Sequence, residues 1–313
     1  MLINSGLILI GLIFLYYGGE LLITGGLQLA KYLKLSPFII GATVVGFGTS
    51  TPELAVSLMA SFQGSGDLAL GNIIGSNIAN IGLVLGLTAL IVPLKIEKQR
   101  FRNESPPLII TTFIILIFAW NNYLGRVEGL IMICLLCVYL WRSFRTKENI
   151  ETDLSDNNLY KNNRNPLLHT FFVLIGIGML IIGAHWIIDG SVEIARMLGA
   201  SEWFIGVSII ALGTSLPELT SSIIAAKKGQ GEMAIGNVFG SNIFNILMVI
   251  GTASSIHPFR IIERIDTDLI FTTSLTCLLF LLIRMGHSIR KRDGIILCLC
   301  YVSYIGLKGT GLL

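Results

Sequence analysis

Ten apolar stretches, most of them long enough to cross a bilayer, constrain this chain more than any other feature. They run over 6–30, 37–61, 68–93, 106–123 and 124–141, and, after a polar segment, over 167–195, 203–226, 233–255, 267–283 and 294–313. A membrane-spanning helix needs about 20 predominantly apolar residues. Strands of a membrane barrel would be about half as long, with alternating polarity, so the stretches are helical. Only 13% of the 313 residues are charged, against about 25% in soluble domains. With 53% hydrophobic residues, both a water-soluble enzyme and a disordered chain are excluded. The expected fold is all-α and polytopic, with ten transmembrane helices arranged five and five.

The basic residues orient it. With the N-terminus outside, 17 Lys and Arg fall on inner segments, and only Arg126, Arg196, Arg260, Arg264 and Lys308 stay outside. That is a strong positive-inside bias. The domain plan is a first five-helix half over 1–142, a cytoplasmic linker over 143–166 and a second five-helix half over 167–313, all in one integrated membrane domain. No Lys or Arg precedes Lys31, so the first stretch reads as a retained span rather than a cleaved signal.

An internal repeat is the most specific signal. GATVVGFGTSTPELAVSLMASFQGSGDLALGNIIGSNIANIGLVLG from Gly41 aligns without a gap with GVSIIALGTSLPELTSSIIAAKKGQGEMAIGNVFGSNIFNILMVIG from Gly206, at a constant offset of 165 residues. Chance does not produce such a match over two helices. Five is odd, so the second half enters the membrane from the opposite side. The halves are expected to be inverted repeats, an arrangement that places a substrate site near the bilayer midplane.

Within the repeat, G-T-S-x-P-E recurs at Gly48–Glu53 and Gly213–Glu218. Pro52 and Pro217 have no N–H, so the carbonyls of Gly48 and Gly213 lose their helical partner and each helix should kink there. Irregular backbone at membrane depth is tolerated where it is buried or lines a cavity. Ser50, Glu53 and Ser57 then share one face, as do Ser215, Glu218 and Ser222. The second motif, G-N-x-x-G-S-N-I-x-N, places Asn72, Ser76 and Asn80 in one polar stripe, repeated by Asn237, Ser241 and Asn245. Its glycines make a small-xxx-small surface for close packing. Packing explains the glycines but not the stripe.

Two carboxylates, hydroxyls, amide oxygens and freed carbonyls, with no His or Cys among them, form a hard-cation set suited to Ca²⁺ or Na⁺. An acid at mid-helix costs at least about 2.5–3.5 kcal/mol on insertion scales. Spending that at two symmetric positions argues for function. A total charge of −2 balances one Ca²⁺, two Na⁺ or two protons, the competition that antiport requires.

These paired segments resemble the two α-repeats of the sodium/calcium exchanger (calcium/cation antiporter) superfamily, in a prokaryotic-type form without a large regulatory loop. The resemblance implies a multi-pass prokaryotic cell-membrane antiporter in which Glu53 and Glu218 bind Ca²⁺, helped by backbone oxygens at Thr49 and Thr214. It implies Na⁺ ligands at Ser50, Ser76, Ser215 and Ser241, with Asn80 beside the central site. Asn245 departs from the pattern: many sodium-coupled members carry Asp there, and proton-coupled members tend to carry Asn. The long, glycine-dotted first helix of each half would slide across the core. No catalytic residue and no cofactor is implied; Ca²⁺ and Na⁺ or H⁺ are cargo, and the bilayer is the surrounding partner. Neither nucleic acid nor an obligatory protein partner is expected.

Other candidates read as structural. Glu20 aligns with His185 rather than an acid, and with Asp189 and Glu193 it suits interhelical or interfacial pairing. Asp67 and Glu232 start helices, where an acid favours the positive end. His169, His257 and His287 lie near span ends and read as interface residues. Cys134 and Cys137, in an apolar ICLLCVYL run, read as small helix- or lipid-facing residues rather than a redox pair. A channel would need a continuous pore, usually on a subunit axis, which an intrachain inverted repeat does not provide. An intramembrane protease would need a catalytic pair or a motif such as G-x-S-x-G, which the surroundings of Glu53 and Glu218 lack.

Overall fold

The computed structural model describes residues 2–145, 165–199, 211–261 and 266–309. In the first half, α1 is Leu2–Leu33. A broken helix follows as α2 (Pro37–Thr49) and α3 (Thr51–Phe62), bent by 45°. Helix α4 spans 66–91, and α5 (Lys98–Phe118) and α6 (Arg126–Arg145) complete the half. The second half contains α7 (Pro166–Met197), α8 (Ala211–Thr214), α9 (Leu216–Lys227), α10 (Gly231–Ile256), α11 (Asp266–Gly286) and α12 (Lys291–Gly309). Among the described residues, seven helices are long and apolar enough to cross a membrane, and the bent α2–α3 pair makes an eighth. The chain is a mainly helical membrane protein. Most of the expected linker, the start of the expected span 203–226 and the last four residues lie outside the described residues.

Among the described residues the helices follow the expected spans, with one main departure. Helix α5 begins at Lys98, before the expected start at 106, and contains Pro106 and Pro107. The carbonyl of Asn103, four residues before Pro107, is instead satisfied by Arg142 Nη2 at 2.8 Å, which lets the helix run through. Among the described residues, four two-residue strands also form: β1 (Leu94–Lys95), β2 (Tyr123–Leu124), β3 (Phe259–Arg260) and β4 (Ser288–Ile289).

The two halves meet through exchanged contacts. Strand β1 pairs antiparallel with β4, Leu94 opposite Ile289; β2 pairs antiparallel with β3, Leu124 opposite Phe259. Adding 165 to the members of the first half turns one pair into the other with the partners swapped. The same exchange governs α1 and α7, which pack along their length. A Cβ at Gly18 would lie 2.9 Å from Gly176 O, and one at Gly183 would lie 2.8 Å from Gly11 O. Backbones therefore approach directly, as small residues permit in membranes. At about 1.5 Å per residue, helices of 32 residues exceed the roughly 30 Å hydrocarbon thickness, so tilt is expected.

The core centres on α4 and α10. Every residue of α10 from Met233 to Phe244 is buried. A Cβ at Gly236 would collide with Phe38 O and one at Gly240 with Ala42 O, so α2 lies directly on α10. Phe38 and Phe239 seal this contact edge-to-face at 5.8 Å.

Candidate ion-binding site

Each repeated G-T-S-x-P-E segment breaks its helix at the serine. Ser50 has φ −81° and ψ 3°, and Ser215 has φ −89° and ψ 4°, the sparsely populated bridge region. The break thus precedes the proline by two residues, and Pro52 and Pro217 sit in the first turns of α3 and α9. There a missing N–H costs nothing. Glu53 and Glu218 occupy the same first turns, where the positive helix end favours a carboxylate. Both are fully buried.

Helices α4 and α10 supply the second motif. Both turn π-helical where their last asparagine stands, over Asn80–Leu85 and Asn245–Ile250, a distortion frequent at functional sites. Asn80 Nδ2 donates to Asn242 Oδ1 at 3.1 Å, and Asn245 Nδ2 donates to Asn77 Oδ1 at 3.0 Å. Asn72 Nδ2 donates to Ser57 Oγ at 3.0 Å, and Asn237 Nδ2 reaches Ser222 Oγ at 2.9 Å. These bonds tie the broken helices to α4 and α10.

Among the described residues, eight buried oxygens nevertheless accept no hydrogen bond: Ser50 Oγ, both Glu53 carboxylate oxygens and Asn80 Oδ1, and, 165 residues on, Ser215 Oγ, both Glu218 oxygens and Asn245 Oδ1. The hydroxyls of Thr49 and Ser241 lie alongside the Glu218 carboxylate, but neither meets it in hydrogen-bond geometry. An unsatisfied buried polar atom costs about 1–3 kcal/mol, and a charged one more. These eight oxygens recur in pairs 165 residues apart and are oxygens of the kind that hard cations take as ligands. Among the described residues, no group of three or more His, Cys, Asp or Glu side chains gathers anywhere. A cation here would rest on two carboxylates and neutral oxygens.

The sequence profile of the family described as "Sodium/calcium exchanger protein" matches residues 3–145 and 168–309. The chain belongs to the sodium/calcium exchanger family. Its members are antiporters, transporters rather than enzymes. The putative antiporter CaxA of Alkalimonas amylolytica is 35% identical over 319 residues, covering 97% of this chain and 98% of that protein. The sodium/calcium exchanger MaX1 of Methanosarcina acetivorans is 31% identical over 344 residues, with 97% of each covered. The solved sodium-calcium exchanger NCX_Mj, soaked with zero Na⁺ and Ca²⁺, superposes with a TM-score of 0.86 at 32% identity, covering 98% of this chain and 99% of that one.

In this exchanger the other sequence candidates divide clearly. Thr49 Oγ1 lies 3.3 Å from both Asn237 Oδ1 and Ser241 Oγ; Thr214 and Ser76 are buried at 6% and 3% exposure. Ser57 and Ser222, on the carboxylate faces, are occupied by the asparagines of the neighbouring helix. Glu20 pairs with Lys228 at 2.5 Å, Asp189 lies 3.2 Å from His185, and Glu193 pairs with Arg196 at 3.1 Å. Glu232 pairs with Arg100 and accepts from Glu97 N at 2.9 Å. His169 is a correction: it is 6% exposed, packed under α1 where a Cβ at Gly25 would lie 2.8 Å from its carbonyl. Reading the polar stripe at i, i+4 and i+8 passes over Asn77 and Asn242. Their signal is nevertheless present, because both recur at the offset of 165 and both bind the amides at 80 and 245.

Proposed function

We propose that this exchanger moves Ca²⁺ against Na⁺ by alternating access at a site between Glu53 and Glu218. Its ligands are the two carboxylates with Ser50, Ser215, Asn80 and Asn245, and Thr49, Thr214, Ser76 and Ser241 complete the shell. The observation that carries this is the symmetric set of eight buried oxygens without donors. Ca²⁺ takes six to eight oxygen ligands, and two carboxylates neutralise it. Names among the relatives point the same way, MaX1 being called a sodium/calcium exchanger.

The architecture proposed is ten spans in two inverted halves, 1–142 and 167–313, with the linker 143–166 cytoplasmic and the N-terminus outside. The exchanged strand pairs support it, as does the distribution of Lys and Arg. In this scheme α1 and α7, joined backbone to backbone, slide together across the core and open the site to one side at a time.

In membrane vesicles loaded with Na⁺, uptake of radioactive Ca²⁺ should follow the imposed Na⁺ gradient and vanish in Glu53→Gln or Glu218→Gln. Uptake that persists in both variants would remove the site assignment. One observation favours a second form, in which protons replace Na⁺: position 245 is a neutral amide, so only two carboxylates face the cargo. Uptake driven by a pH gradient and indifferent to Na⁺ would select that form.

A further inference from the structure

Four asparagines lock together where α4 meets α10. Asn77 Nδ2 donates to the backbone carbonyl of Asn242 at 3.4 Å, and Asn242 Nδ2 donates to the backbone carbonyl of Asn77 at 3.4 Å. A backbone carbonyl only accepts, so each of these amides must present its nitrogen there and its oxygen at the opposite end. Those oxygens receive Asn245 Nδ2 at 3.0 Å and Asn80 Nδ2 at 3.1 Å. The bond then fixes the outer amides in turn. With Nδ2 of Asn80 and Asn245 engaged, their Oδ1 atoms are the ends left over, and both are buried without a donor. All four side chains are 0–2% exposed, so water does not compete for these bonds.

We propose that Asn77 and Asn242 are positioning residues that aim the Asn245 and Asn80 carbonyl oxygens at the transported cation, each acting across the boundary between the halves. Without the clamp an asparagine amide can turn over and offer its NH₂, which repels a cation. The clamp also suits an amide at 245: a carboxylate there would set acceptor against acceptor at Asn77 Oδ1. The two halves are thereby coupled at the site itself, since each repeat orients a ligand of the other. This rests on the proposed site, in which Asn80 and Asn245 are ligands.

The test is a set of double-mutant cycles on the KM for Ca²⁺ in vesicle uptake, with folding checked by thermal unfolding of the purified full chain. Loss of a group that orients a metal ligand typically costs 10–100-fold in affinity. Asn77→Ala should raise the KM about 10-fold or more, and adding it to Asn245→Ala should raise it no further. Asn242→Ala should behave likewise with Asn80→Ala. The same-half combination of Asn77→Ala with Asn80→Ala should multiply the two single effects. A purely structural role would lower stability in every background and leave the cross-half cycle multiplicative, which would overturn the proposal. If Asn77→Ala does not fold, the Asn242–Asn80 cycle tests the same coupling from the other half. Asn80→Ala and Asn245→Ala that leave the KM unchanged would instead refute the site, whereas altered singles with a multiplicative cross-half cycle refute only the clamp.

Discussion

The α1–α7 pair and the α4–α10 pair are both contacts between duplicated helices with their partners exchanged, yet opposite chemistry joins them. In the first, glycines bring backbone onto backbone, with Gly18 against Gly176 and Gly183 against Gly11. In the second, asparagines cross-link the helices and leave oxygens without donors. Lipid tails are as apolar as the helices, so close van der Waals packing is enough to hold the outer pair. Buried polar groups are expensive where water is absent. Among the described residues, the buried oxygens without donors lie on the inner pair and on the broken helices beside it, in the same places in both repeats.

The largest effect is expected at the inner pair's neighbours. Glu53→Gln or Glu218→Gln should cut Ca²⁺ uptake by at least about 100-fold, beyond the range of merely supporting residues. They should also abolish stabilisation by Ca²⁺, which at 100 times Kd is worth about 2.7 kcal/mol and is readable as a rise in Tm. Next come Gly18→Leu and Gly176→Leu. Overpacking costs about 1–3 kcal/mol, so transport should fall while the folded protein still gains Tm with Ca²⁺. Loss of that Ca²⁺ response would show that the two pairs are not separable, and would break the contrast between them.

A smaller and more specific change is expected from Asn245→Asp, which adds a third carboxylate and gives up the donation to Asn77. Uptake should depend more steeply on Na⁺ concentration, and an unchanged Na⁺ dependence would assign position 245 a role apart from cargo charge. The smallest effect belongs to Glu20→Gln, which removes the tie between α1 and Lys228. Both side chains are partly exposed, 34% and 23%. Such pairs are worth about 0–1 kcal/mol, so the uptake rate should change by less than about fivefold.

Much of this is legible in the chain. Uninterrupted apolar length sets the helices, and the offset of 165, taken together with depth inside a span, singles out Glu53 and Glu218. What escapes a sequence reading depends on partners distant in sequence. Pro106 and Pro107 look like a helix start because the Arg142 side chain that satisfies Asn103 belongs to another helix. The break falls at Ser50 rather than Pro52 because proline is harmless in a helix's first turn. Asn77 and Asn242 are hidden by a stripe read along one helix face, when their role is to reach across to the other repeat. Lys228, as the partner of Glu20, carries no local pattern at all.

One divalent cation held among the orphaned oxygens of the two repeats would unite these observations. Anomalous diffraction from crystals of the full chain soaked in Sr²⁺, a heavier mimic of Ca²⁺, looks for it directly. The expected result is a single strong peak between the Glu53 and Glu218 carboxylates, in reach of Asn80 and Asn245 Oδ1 and lost in Glu53→Gln. A peak only at surface acids such as Glu97 or Glu232, or one that survives Glu53→Gln unchanged, would contradict a cation shared by the two halves.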